Sequence, residues 1–186
     1  LSRKSDSPLD FDLDLVKQRN MENPVYYVQY AYARVAALLR RAADRGVVLP
    51  EHCTADMLAP LTSADDLALL REAERFRNVV EDAARARAAH PVSFYLMELA
   101  GKLHSYYANN PVLSGDDEAV MKARLAMLRA VSVVIANGLD LLGVNTGLVE
   151  DLLVVEEGHW AGIHRQGVDA VIDVHRGPRA RGVEVL

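Results

Sequence analysis

The stretch Asn23-Pro24-Val25-Tyr26-Tyr27-Val28-Gln29-Tyr30-Ala31-Tyr32-Ala33-Arg34-Val35-Ala36-Ala37-Leu38-Leu39 decides the fold. Asparagine is a good helix N-cap, and proline suits the first helical position, where its missing N–H would be unpaired anyway. Val25, Val28, Tyr32, Val35 and Leu39 then recur at spacings of three and four, which is one apolar stripe of an amphipathic helix. Gly46 supplies the stop.

The same period continues downstream. Residues 46–62, with Gly46, Pro50 and Pro60, read as a loop holding at most a short helix. Ser63 can cap a second helix, with Asp65 and Asp66 at the positive end of its dipole. Leu67, Leu70, Phe76, Val79, Val80 and Ala83 are its expected inner face, and it is expected to end near His90-Pro91, because the residue before proline is pushed out of helical angles. A third helix spans about Pro91 to Tyr107, with Leu96, Leu99 and Leu103 inward and Asn109-Asn110-Pro111 as its breaker. A fourth begins near Asp116 and carries Leu125, Leu128, Val131 or Ser132, Ile135, Leu139 and Leu142 up to Gly143. Residues 1–22 are a connector in which Asp10, Asp12 and Asp14 alternate with Phe11, Leu13 and Leu15 in a strand-like way. Residues 146–186 form an irregular tail with Gly158, Gly162 and Gly167, a strand-like Val168–Val174 and basic Arg176, Arg179 and Arg181.

Composition agrees with an all-α helical bundle. Of 186 residues, 51% are hydrophobic, enough for one domain with a sizeable core. Aromatics make up only 6%, while Ala, Leu and Val abound, which favours helix on helix over a β-sandwich. The formal net charge of −5 excludes a global positive field, so any nucleic-acid contact has to come from a local basic face and stacking. The single cysteine, Cys53, excludes an internal disulfide and points to a reducing cytoplasm. No apolar run reaches the roughly 18 residues of a membrane span, and there is no signal-peptide pattern. The start at Leu1 rather than Met suggests a fragment or a processed product.

Several residues could carry function. Gln29, Tyr30, Arg34 and Arg41 lie off the apolar stripe of the first helix, and Tyr30 and Arg34 are four apart, so they share a face. A tyrosine ring or guanidinium plane can stack on an unpaired base while the charge meets phosphate; the same pair also suits an ordinary wet helix rim. Lys102, His104, Tyr106 and Tyr107 end the third helix, where they could hold a splayed base, or Tyr106 could be core with its hydroxyl at the surface and Asn109 and Asn110 plain turn formers. His52-Cys53 lacks the glycine-rich elbow and oxyanion element of a nucleophilic site. In the tail, His159, His164 and His175 accompany Glu156 and Glu157, but His159 and His164 are off the i,i+4 spacing of helical zinc sites, so no metal is expected. There is no phosphate loop, no dinucleotide fingerprint and no CxxC pair.

Three ordered blocks resemble the arginyl-tRNA synthetases. The first is Ser2-Arg-Lys-Ser-Asp-Ser-Pro-Leu-Asp-Phe-Asp-Leu-Asp-Leu15 followed by Glu22-Asn-Pro-Val-Tyr-Tyr-Val-Gln-Tyr-Ala-Tyr-Ala-Arg34. The second runs from Phe94-Tyr-Leu-Met-Glu-Leu-Ala100 through His104-Ser-Tyr-Tyr107 to Val112-Leu113, and the third from Ala123-Arg-Leu125 through Asn137-Gly-Leu-Asp-Leu-Leu-Gly-Val144. The resemblance covers about residues 1–145. It implies residues 1–22 as the exit of a catalytic domain, 23–145 as the helical anticodon-binding domain of this class I synthetase, and 146–186 as an atypical tail. It also implies arginine tRNA and the enzyme's own catalytic domain as partners, with the protein a monomer and not attached to a membrane. ATP and magnesium serve the full-length enzyme, with no cofactor in this chain.

By the same resemblance the Gln-Tyr-Ala-x-Ala-Arg helix faces the tRNA, which makes Gln29, Tyr30 and Arg34 contacts. Tyr107 matches a tyrosine that helps to receive the anticodon loop, and Lys102, His104 and Arg124 follow by charge and position. The family's ATP-handling signatures, His-Ile-Gly-His and Lys-Met-Ser-Lys-Ser, are absent, so aminoacylation is not expected of these residues alone. The Pro-Glu-Arg-Met-like terminus is missing too: Asn145-Thr146 runs into Gly147 and the tail. The alternative function is a helical protein-interaction module that has lost tRNA binding through that altered end.

Overall fold

The computed structural model describes residues 22–114 and 117–146, and within them the chain is helical without a strand. The expectations placed on the connector and on the tail lie outside these residues. Six helices follow in order: α1 (Pro24–Asp44), α2 (Ala55–Leu58), α3 (Ala64–Glu74), α4 (Phe76–Ala86), α5 (His90–Asn109) and α6 (Glu118–Leu141).

The caps are local and legible. Asn23 accepts from the backbone N–H of Val25 (3.0 Å) and Tyr26 (3.5 Å), with Pro24 next in line. Ser63 accepts from the Asp66 N–H, and Asp117 accepts from those of Ala119 and Val120. At the other ends, α1 and α6 stop on the left-handed Gly46 (φ +79°) and Gly143 (φ +70°). Each stop makes two reverse bonds: Gly46 N–H to Ala43 and Val47 N–H to Ala42, then Gly143 N–H to Asp140 and Val144 N–H to Leu139. This is the Schellman arrangement, which satisfies carbonyls the helix leaves unpaired.

α4 ends by the same device on a residue that the sequence does not advertise. Arg87 takes φ +50°, and the N–H groups of Arg87 and Ala88 bond Ala84 and Ala83. The helix therefore stops several residues before His90-Pro91, where proline alone would have ended it, and α5 begins at His90 itself.

The expected second helix is also divided, at Arg75. The cause is a side chain from α5. The Tyr95 hydroxyl donates to the Glu72 carbonyl (2.8 Å) and to the Ala73 carbonyl (3.3 Å), two acceptors of the helical ladder. A donor inserted into that ladder interrupts it.

α5 is the hub. It packs on α1, α3, α4 and α6, while α6 also packs on α1, α2 and α3. Paired positions fix the directions: α1 runs parallel to α5, with Tyr27 beside His104 and Arg34 beside Tyr107, and antiparallel to α6, with Gln29 bonded to Asn145. The core holds Leu96, Leu99 and Leu103 of α5 and Leu125, Leu128, Val131, Ile135 and Leu139 of α6, as their spacing implies. On α1 the buried row is Val28, Ala31, Val35, Leu38 and Ala42. Tyr32 and Leu39 sit at its edge, and Val25 is 44% exposed.

α6 approaches α5 at Gly138. A Cβ placed there would lie 2.6 Å from Leu96 Cδ2 and 3.0 Å from Cδ1. Leu96 is only 1% exposed and has nowhere to swing. Gly138→Ala is therefore expected to destabilise the domain by up to about 2 kcal/mol, an overpacking cost of ~1–3 kcal/mol outweighing the ~1 kcal/mol that alanine gains in a helix. Urea unfolding measures it, and a stabilised variant would show that the two helices can part.

Candidate functional site

Two rows of polar and aromatic residues meet where α1 lies along α5. On α1, Tyr26 and Tyr30 are one turn apart with rings parallel to within 5° and centroids 6.4 Å apart. Tyr27, three residues before Tyr30, points at α5, where His104 sits edge-on to it at 4.9 Å. The Tyr27 hydroxyl lies over Gly101, where an added Cβ would meet it at an ordinary contact distance of 3.4 Å. Tyr30 also meets His104, tilted at 5.6 Å. One turn further, the Arg34 guanidinium lies over the Tyr107 ring, 4.2 Å from its centroid, in cation–π geometry.

Tyr30, Arg34, His104 and Tyr107 are thus gathered on one half-buried face. Arg34 has no carboxylate partner among the described residues. Its guanidinium is planar, keeps donors to spare and already shows a stacked geometry. Tyr26 and Tyr27 belong to the same cluster, although the helical spacing singled out only Tyr30. The signal was present, because positions 26, 27 and 30 are i,i+4 and i,i+3 neighbours.

His104 is unusual within the face. Both ring nitrogens are shielded from water and lack a hydrogen-bond partner. Burial holds its pKa below the ordinary histidine range; the nearby Tyr27 backbone pulls the other way, and the Arg34 charge adds to the lowering. The ring is therefore neutral at pH 7.

Gln29 does not share the face. It is 4% exposed, and its side-chain amide donates to the Asn145 carbonyl at 2.8 Å, tying the start of α1 to the chain that leaves α6. The expectation of a surface glutamine fails because α1 is covered on two sides, by α5 and α6, so its buried arc is wider than one stripe.

Lys102 and Arg124 face carboxylates. Lys102 reaches Glu72 and Glu98, the second at 3.1 Å, and is 44% exposed at its side chain. A phosphate would have to compete with both. Glu72 is buried and also receives Arg75 at 2.8 Å. Arg124, 18% exposed at its side chain, donates to Asp66 at 3.2 Å. Asp66 is 1% exposed and also accepts from the Tyr106 hydroxyl at 2.6 Å. Tyr106 is core, and its hydroxyl ends on this buried carboxylate rather than at the surface. Buried Asp66 and Glu72 escaped an inner face read from apolar periodicity, since carboxylates do not register in it.

Elsewhere, Cys53 is exposed and its sulfur accepts from the Arg129 guanidinium at 3.1 Å. No group of three metal-binding side chains occurs among the described residues, and no described helix is long and apolar enough to cross a membrane.

Comparison with known proteins gives the arrangement a family. Residues 28–147 match the DALR anticodon binding domain. Arginine–tRNA ligases from Oleidesulfovibrio alaskensis and Desulfovibrio desulfuricans are 58% and 61% identical over 145 residues, which is 78% of this chain and 26% of each relative. One from Nitratidesulfovibrio vulgaris, strain Miyazaki F, is 62% identical over 144 residues, or 77% of this chain and 26% of the relative. The chain thus spans about a quarter of the length of these relatives. A Campylobacter jejuni crystal structure assigned as an arginyl-tRNA synthetase superposes with a TM-score of 0.64 at 30% identity, over 78% of this chain and 30% of that one. The order of the helices and a family match across most of the described residues lead to one statement: the chain belongs to the DALR anticodon binding domain family.

Proposed function

We propose that this chain is the anticodon-arm-binding part of an arginine–tRNA ligase, and that it holds arginine tRNA on the face formed by Tyr30, Arg34, His104 and Tyr107. The observation that carries this is the Arg34 guanidinium stacked on Tyr107 beside the Tyr26–Tyr30 ring pair. Rings in such a row can receive unpaired bases of a loop, and an unneutralised arginine beside them can meet phosphate. Gln29, Lys102 and Arg124 act from behind, Gln29 by fixing the start of α1, and the two cations by holding α5 and α6 to α3. Activation of arginine with ATP and magnesium would belong to the remaining three-quarters of the relatives' length, in a monomeric cytoplasmic enzyme.

The test is a titration of the 186-residue chain with arginine tRNA and with a non-cognate tRNA. Preference for arginine tRNA is expected. Tyr107→Ala should weaken it by about 1–3 kcal/mol, the worth of one stacked base, or roughly five- to 150-fold in Kd. An unchanged Kd with the helical circular dichroism intact would remove Tyr107 from the interface.

A further inference from the structure

Among the described residues, the buried side-chain nitrogens and oxygens that lack a partner are Nδ1 and Nε2 of His104. Such groups are rare in folded proteins, because burial strips away water and nothing replaces it. Packing alone does not explain a histidine at this place. Its neighbours are the Tyr27 and Tyr30 rings, and an apolar aromatic would make the same ring contacts without unpaired nitrogens. Gln29 is engaged with Asn145 and Lys102 with Glu72 and Glu98, Arg34 lies over the Tyr107 ring, and the Tyr27 backbone lies close to the His104 ring without completing a hydrogen bond to it. Neither ring nitrogen of His104 has a hydrogen bond of good geometry, and the ring lies inside the aromatic cluster.

We propose that His104 is the base-reading group of this face: one of its ring nitrogens, sheltered beside Tyr30 in the free protein, hydrogen-bonds to the edge of an unpaired nucleobase that inserts among the tyrosines. This rests on the tRNA-binding function proposed above and adds the residue that tells one base from another. Stacking on tyrosine tolerates every base, since each has a π-face. A buried hydrogen-bonding group does not, because a base of the wrong pattern leaves it unpaired. A neutral imidazole carries a donor on one nitrogen and an acceptor on the other, and because the two point apart, one of them meets the base edge beside the stacking rings. Tyr30 is half-buried and in ring contact with His104, so a change of its rotamer is the route by which a base would reach the imidazole.

The test compares the full chain with His104→Phe, using arginine tRNA and transcripts that each carry one altered anticodon-loop base. The variant should keep the helical circular dichroism of the parent, because the ring contacts stay and the loss of two unpaired nitrogens offsets the larger ring. It should bind arginine tRNA about ten-fold more weakly, and one base change that costs the parent about ten-fold or more should cost the variant almost nothing. A second measurement needs no variant: the His104 ring ¹⁵N resonances of the parent should shift when arginine tRNA is added. Ring resonances unmoved at saturation, or a variant that discriminates bases as the parent does, would overturn the role of His104 and leave tRNA binding standing. A parent that binds no tRNA would remove both.

Discussion

Asp66→Ala is expected to cost the domain about 3–5 kcal/mol, the usual penalty for removing one member of a buried ion pair. The carboxylate is 1% exposed and serves two partners from two helices: the Tyr106 hydroxyl of α5 at 2.6 Å and Arg124 of α6 at 3.2 Å. Tyr106 is 4% exposed and Arg124 18% at its side chain, so neither partner recovers water when the carboxylate goes. Glu72 makes a useful contrast. It is as deeply buried, but its partners Arg75 and Lys102 are about half exposed and can rehydrate in place. Its removal should cost less. Chemical unfolding of the two alanine variants reads both numbers, and a loss for Asp66→Ala below ~1 kcal/mol would mean that the pair is compensated elsewhere. At this domain size the expected loss corresponds to on the order of 10–20 °C in Tm.

The same carboxylate gives the acid limb of stability its sign. Burial alone would raise the Asp66 pKa, but hydrogen bonds from Ser63 and Tyr106 and the charge and hydrogen bond of Arg124 outweigh it and hold the value below the ordinary one. A depressed folded pKa means that the stabilisation is complete above the unfolded value, about 3.9, and is lost as pH falls through the lower folded value. The window is thus the acid side of pH 4, and Asp66→Asn should lack this part of the pH dependence.

Leu99→Ala should have the next largest effect, a loss of about 2–5 kcal/mol. Leu99 is 0% exposed and sits on α5, the helix against which α1, α3, α4 and α6 all pack. A void there closes only if several elements move together, which places the expected loss in the upper half of that range. Leu99→Met, which keeps most of the volume, should cost less than about 1.5 kcal/mol. Equal losses for the two variants would show that shape at this position, and not volume, decides the packing.

The architecture was readable wherever burial and apolar character coincide. α5 and α6 display Leu96, Leu99, Leu103, Leu125, Leu128, Ile135 and Leu139 at helical spacing, and all are buried. The phase of α1 was harder, because Ala31 and Ala42, small residues at close helix contacts, carry little weight against Val25, which faces out. α3 hid its inner face, since two of its three buried positions are Asp66 and Glu72. The end of α4 was illegible for another reason: Arg87 adopts a left-handed conformation that the residue itself disfavours, so only tertiary structure selects it. At the site, spacing put Tyr30 and Arg34 together on α1, but which ring or carboxylate each would meet depends on a helix some seventy positions later. Hence Arg34 on Tyr107, Gln29 on Asn145 and Arg124 on Asp66 were beyond any local pattern.

The Gln29–Asn145 bond joins positions 116 apart and brings together the two points at which the chain arrives at the bundle and leaves it. At the other end of α1, Arg45 donates to the Leu113 carbonyl in the turn that precedes α6. A fold with neighbouring gateways behaves like a module plugged in at one socket: longer or different sequence can be grafted on either side without threading through the bundle. Such topology leaves the aromatic face its geometry whatever sequence is joined at the socket.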